Sequence, residues 1–331
     1  MVSPPHLVFR GSEETITVHN LHPSDIGVVM AMGDSVTAGF GIGGTTDELR
    51  GVSFSIGGDE NRTTLPNFLK YFNPNLKGAA RGSHIIETYE DKHRFEMDQL
   101  SAAQSEAKAE HLDSELDYLI SHLKSSNLMD EWKILTIFIG TNDICASCEA
   151  ETFEFLKAEQ YKKRMKNALI RIKQEIPKVF VNILTMIDLA PIRQFENDTF
   201  CKTVHFFLGE CACEFLRSER NREIVDTRRA EYTQALFDLV DEIMRQPSDS
   251  FAVEIQPFLD GFQIPESSYL STFDCFHPSE SAHREFAIAL WNGMFEPFGK
   301  KQKNPKVPGV PMCPKPQERI RTRYSKLSSP I

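Results

Sequence analysis

The chain has 331 residues, 40% of them hydrophobic and 25% charged, with a mean hydropathy of -0.33. This composition excludes disordered, collagen-like and membrane-embedded classes for the chain as a whole, and the length suits one large domain or two ordinary ones. The formal charge of -10 is unevenly spread: residues 299–331 carry nine Lys or Arg against Glu318 alone, which leaves the remainder at -18. A body of that charge repels phosphate backbones and speaks against nucleic-acid binding.

The first twenty residues, MVSPPHLVFRGSEETITVHN, lack a charged start followed by a long apolar stretch and do not read as a signal peptide. No apolar run approaches the length of a membrane-spanning helix. Gly27 to Met32 is an unbroken apolar run that empties into Gly33-Asp34-Ser35, the pattern of a strand buried on both faces. The same shape recurs at Lys133–Ile139 before Gly140, at Val179–Ile187 before Asp188, and at Phe251–Phe258 before Asp260. Helical spacing predicts helices over 106–124, 152–176 and 219–246, and a last helix over 279–295 with Pro278 in its first turn. Alternating strands and helices imply a parallel α/β sheet. The tail from 299 to 331 holds six of the 18 prolines and reads as an extended, solvated basic segment rather than a second core. The expected division is one domain over 1–298 and a basic, proline-rich tail over 299–331.

Seven cysteines (Cys145, Cys148, Cys201, Cys211, Cys213, Cys275 and Cys313) and two sequons, at Asn61 and Asn197, favour a secreted or outward-facing setting despite the lack of a leader. A processed or fragmentary secreted protein reconciles the two signals. Local spacing suggests disulfides between Cys145 and Cys148 and from Cys201 to Cys211 or Cys213, with an odd thiol left over. A redox pair or a zinc site built on these cysteines is disfavoured by context and spacing. His6, His84, His93, His111, His122, His205 and His283 have no partner at useful spacing and are expected to be solvated, so no metal and no other cofactor is indicated.

Ligands gather outside the carboxyl ends of strands in an open α/β sheet, where the pattern puts Ser35 and Asn142. Ser35 alone reads as a helix cap. Asp274, three residues before His277, can accept the hydrogen bond of the imidazole Nδ1–H on a loop and leave Nε2 as a general base, and Pro278 keeps His277 out of helical geometry.

Met32-Gly-Asp-Ser-Val-Thr-Ala-Gly39, Gly140-Thr-Asn-Asp143 and Asp274-Cys-Phe-His277 together resemble the blocks of the SGNH or GDS-L hydrolases. Ser53-Phe-Ser-Ile-Gly-Gly-Asp59, Thr63-Thr-Leu-Pro-Asn67, Phe72-Asn-Pro-Asn-Leu76 and Cys211-Ala-Cys213 resemble the phospholipase B-like branch more closely. The resemblance implies one three-layer, flavodoxin-like α/β domain, a parallel sheet flanked by helices. In it Ser35 attacks an ester, His277 takes its proton and Asp274 orients the imidazole, without metal or cofactor. The oxyanion is then held by the Ser35 N–H, the Asn142 amide and a third backbone N–H, while Asp34 and Asp143 brace loops. Phospholipid or another acyl ester is the implied substrate, with contact at a membrane surface and no obligate protein partner. One block departs from the family: Glu106 stands where a glycine supplies the third donor. An inward carboxylate there would weaken the oxyanion site, whereas a Glu106 that merely opens the 106–124 helix would not. Short-chain or carbohydrate acyl ester hydrolysis, and a weakly active or non-catalytic lipid binder, are the alternatives.

Overall fold

The computed structural model describes residues 15–86, 93–149, 152–195, 199–208, 210–215 and 218–325. The chain enters β1 (Ile26–Gly33) and turns through the short helix α1 (Ser35–Ala38). It then forms a two-residue antiparallel ladder of β2 (Asp47–Glu48) with β3 (His84–Ile85), with α2 (Leu65–Lys70) between them. After α3 (Phe95–Asp98) come α4 (Leu112–Ser125), β4 (Trp132–Phe138), α5 (Thr141–Cys145), α6 (Ala158–Glu175) and β5 (Val179–Leu184). α7 (Thr199–Leu208), α8 (Ala212–Phe215), α9 (Glu219–Ile243), β6 (Phe251–Gln256) and α10 (Glu280–Phe295) complete the order.

Four parallel strands form the main sheet in the order β1-β4-β5-β6, with Val29 opposite Ile134 and Ile134 opposite Phe180. Their interior residues are buried on both faces, which is why each strand is a near-continuous apolar run rather than an alternating one. Because each strand follows its neighbour in sequence, right-handed crossovers put α4, α6 and α9 side by side on one face. α10 and α2 pack together on the other, so the sheet is the middle of three layers. The predicted helices start later than their periodicity suggested, at Leu112 and Ala158, because irregular loops occupy the first residues. Pro278 precedes the cap Ser279 of α10 and is not in its first turn.

The outer edge of β1 carries no regular strand. Val29 N–H donates to the Lys77 carbonyl at 3.0 Å, Ala31 N–H to that of Leu100 at 3.0 Å, and Gln104 N–H to that of Gly33 at 3.1 Å. Two irregular segments thus share the place of an edge strand, and the second delivers the 101–107 loop beside Ser35.

The described part of the basic tail, residues 299–325, has no helix or strand, and it is not a solvated arm. Ile320 is wholly buried, its N–H donates to the Leu21 carbonyl at 2.8 Å, and Arg321 N–H donates to that of Met294 at 2.7 Å. Trp291 of α10 donates to the Met312 carbonyl at 2.8 Å. The few apolar residues between the prolines and cations suffice to strap the segment over the end of α10 and residues 19–21.

Candidate active site

Ser35 is placed by the turn that ends β1. A Cβ on Gly33 would stand 2.3 Å from the Phe138 carbonyl oxygen, so only glycine lets β1 leave the sheet this close to β4. Asp34, not Ser35, caps α1: its Oδ1 accepts from Val36 N–H at 3.0 Å. The Ser35 hydroxyl is therefore free for other work, and it lies 2.7 Å from His277 Nε2. His277 Nδ1 lies 2.7 Å from Asp274 Oδ2, and Asp274 Oδ1 accepts the backbone N–H groups of Phe276 and His277 at 2.8 and 2.9 Å. That loop folds the carboxylate back onto its own chain, which fixes the imidazole through both backbone and side chain. Phe40 and Phe276 set their ring edges against His277, with centroids 4.8 and 5.3 Å away.

Burial pushes the His277 imidazole down, but Asp274, with Glu210 and Asp34 beyond it, more than offsets this, and the net displacement is upward from the ordinary 6.5. Burial pushes Asp274 up and His277 with the backbone donors pulls it down, leaving it below the usual carboxylate range. Asp34 is raised to about 7 by burial. Asp143, raised to about 6 by burial, accepts the Ala109 N–H at 3.0 Å, so both Asp34 and Asp143 hold loops in place.

The oxyanion donors expected from the sequence meet around the same cleft, a cavity of about 640 Å³ lined by Ser35, Glu106, Asn142 and His277 among others. Asn142 Nδ2 donates one hydrogen to the Ala107 carbonyl at 2.9 Å, which leaves the second for a ligand. Glu106 adopts φ +66°, the left-handed conformation a glycine would take, and its side chain is exposed. It does not open a helix, since α4 begins at Leu112. Neither the Ser35 nor the Glu106 N–H donates to an acceptor among the described residues.

Behind this loop lies a buried ionic cluster that no sequence spacing announced. Arg50 donates to the Ala103 carbonyl at 2.6 Å and to Glu48 Oε2 at 3.1 and 2.6 Å, and stands 3.3 Å from Asp98. Ser105 Oγ donates to Glu48 Oε1 at 2.5 Å. His84 has Nε2 2.9 Å from Asp98 Oδ1 and Nδ1 2.8 Å from the Ile85 carbonyl oxygen. Both of its nitrogens face acceptors, an arrangement that the protonated ring satisfies; burial lowers its pKa and the Asp98 bond raises it, with a net displacement above the ordinary value. When His84 is protonated, two cations balance two carboxylates in the interior. The expectation of a solvated His84 is thus overturned, as it is for His205 and for His283, which burial lowers to about 3. His93, His111 and His122 are half-buried, and His6 lies outside the described residues.

The cysteines pair as Cys145–Cys211, Cys148–Cys213 and Cys201–Cys275, not in the local pairs expected. Cys145 and Cys148 are three apart on α5 and the turn after it, and both face α8, where Cys211 and Cys213 supply a partner each. Cys313 is free and exposed. Asn61 is exposed, and Asn197 lies outside the described residues. No helix of the described residues is long and apolar enough to cross a membrane.

Residues 29–290 match the family model of the GDSL-like lipases and acylhydrolases. The chain is 33% identical over 323 residues to phospholipase B1, membrane-associated, of Mus musculus, covering 90% of this chain and 21% of that protein. To the Homo sapiens protein of the same name it is 34% identical over 309 residues, covering 86% and 20%. The chain thus spans about a fifth of the length of these relatives. Among solved structures it is similar to an acetyl xylan esterase from Geobacillus stearothermophilus, 13% identical over 81% of this chain and 95% of that one, with a TM-score of 0.39. The chain belongs to the GDSL-like lipase/acylhydrolase family of carboxylic ester hydrolases.

Proposed function

We propose that this chain is a serine-dependent hydrolase of lipid acyl esters, with phospholipids and lysophospholipids as its substrate class. The observation that carries the reading is the unbroken hydrogen-bonded series Ser35–His277–Asp274 at the floor of the cleft. Ser35 Oγ attacks the ester carbonyl carbon as its proton passes to His277 Nε2, and Asp274 stabilises the imidazolium. The tetrahedral oxyanion takes hydrogen bonds from the Ser35 and Glu106 N–H groups and the Asn142 amide. Its collapse breaks the bond to the leaving oxygen, which receives the proton from His277 and departs as an alcohol. Water, deprotonated by His277, then releases the fatty acid and restores Ser35.

An apolar seam supports lipid rather than short acyl esters. Ile187, Leu189, Ile192 and Phe276 flank Ser35, and the seam continues past Phe262, Ile264 and Leu270. Three disulfides support an oxidising, outward-facing compartment. The test is to incubate the protein with mixed phospholipids and triglycerides and measure the fatty acid released. Release from phospholipid by the wild type and none by Ser35→Ala is expected. Hydrolysis of acetyl esters alone would overturn the lipid reading, and turnover by Ser35→Ala would overturn the serine mechanism.

A further inference from the structure

Glu210 stands on the short link between α7 and α8, where no motif pointed. One of its carboxyl oxygens, one of Asp274 and a ring nitrogen of His277 all lie within 4.8 Å of one another. Its Oε2 is buried and has no hydrogen-bond partner among the described residues. The next residue, Cys211, is bonded to Cys145, so the backbone that presents the carboxyl is fastened to the end of α5. Both nitrogens of His277 are already committed, to Ser35 and to Asp274. No ring lone pair is left for a cation, and the three side chains form an acid–base cluster rather than a metal site.

A carboxyl held in this way acts on His277 through charge. When Ser35 loses its proton, the His277–Asp274 pair changes from net negative to neutral, and the new positive charge lies on the ring that Glu210 flanks. We propose that Glu210 is a positioning residue, a second acidic partner of His277 that in its carboxylate form stabilises the imidazolium made as Ser35 attacks. This rests on the roles given above to Ser35 and His277. Burial raises Glu210 to about 7, with Asp274 adding to the effect and His277 opposing it, so its charge changes within the range where such an enzyme works. The groups facing His277 are Asp274 on its own loop, Glu210, Asp34 after β1, and on α10 the buried His283. Glu106, Lys108, Glu110, His111 and Glu149 line the walls of the cleft farther out.

Glu210→Gln keeps the shape and removes the charge. In a Ser35→Ala background, where no turnover is needed, the titration of the His277 imidazole is followed by NMR with and without this substitution. His277 is expected to titrate lower by about 1 when the carboxylate is gone. In the otherwise native protein, kcat for phospholipid should fall about tenfold above pH 7 with KM changed less than twofold, and Glu210→Asp should recover part of the loss. A purely structural Glu210 would lower Tm and leave the titration of His277 where it was. An unmoved titration overturns the proposal whatever the fate of the hydrolase reading, because that arm requires no substrate.

Discussion

His277, Asp274 and Glu210 stand on chain fastened by cysteines, whereas the 101–107 loop facing them is fastened by buried charge. On the first side Cys275 sits between Asp274 and His277 and is bonded to Cys201, while Cys145, three residues after Asn142, is bonded to Cys211 beside Glu210. On the second side Arg50 and Glu48 hold Ala103 and Ser105 from the interior. Covalent fastening is indifferent to pH and salt but open to reductants. Ionic fastening is the reverse, since losing one partner leaves an uncompensated charge in the core. One cleft therefore has two separate ways to fail.

The largest effect belongs to the group both sides serve. Ser35→Ala should lower kcat by about 10⁴-fold or more with an unchanged fold, and His277→Ala should cost about as much, the two losses not adding. In the native protein the rate should fall as pH drops through a value above 6.5, because protonated His277 cannot accept from Ser35. A rate flat across that region, with chemistry limiting, would contradict the role of His277.

Next comes the disulfide side. Replacing both Cys201 and Cys275 by Ser should cost about 2–5 kcal/mol of stability and more than tenfold in activity, and dithiothreitol should mimic it. Equal activity before and after reduction would dissolve the contrast. On the ionic side, Ser105→Ala should reduce kcat several-fold with little change in KM, and by the same factor relative to the native protein whether or not the disulfides are reduced, read from kinetics under both conditions. The His84 cation adds a sign to this side: its folded value is raised, so its stabilisation is full below about 6.5 and is lost as pH rises through the folded value. Tm should drop over that window in the native protein, and the drop should vanish in His84→Ala.

The smallest effect is expected at Glu106. Its side chain points to solvent, and its N–H is already where a glycine's would be, at a strain of about 1 kcal/mol. Glu106→Gly should leave kcat within twofold and shift stability by about 1 kcal/mol or less. A large gain in kcat would mean that the carboxylate turns inward after all.

Local features were legible in the sequence and distant ones were not. β1, β4, β5 and β6 announce themselves because a strand covered on both faces must be apolar throughout; Ser35 and Asn142 follow because the ends of such strands are where polar groups are presented, and His277 follows from its spacing to Asp274 before Pro278. The partners of Cys145 and Cys148 lie 66 and 65 residues away, and only the packing of α5 against α8 decides them. Glu48, Arg50, His84 and Asp98 each resemble an ordinary surface residue in sequence, and their burial depends on mutual neutralisation, which spacing does not encode. The tail misled for a related reason: its prolines and cations dominate the composition, whereas a few residues fasten it, such as Ile320, which is buried, and Tyr324, whose hydroxyl donates to the Met244 carbonyl.

That strap also decides how the molecule can be mounted. His19 Nδ1 lies 2.8 Å from Thr322 Oγ1, and Ser325 Oγ donates to the His19 carbonyl at 2.9 Å, so residues 19 and 325 lie side by side. They do so near the strand starts, with Leu21 shortly before β1, while the cleft opens at the strand ends. Residues 19 and 325 thus mark one corner of the described chain, opposite the mouth. An attachment made at that corner of the described chain would hold the hydrolase like a lamp by its base, with the working face turned outward.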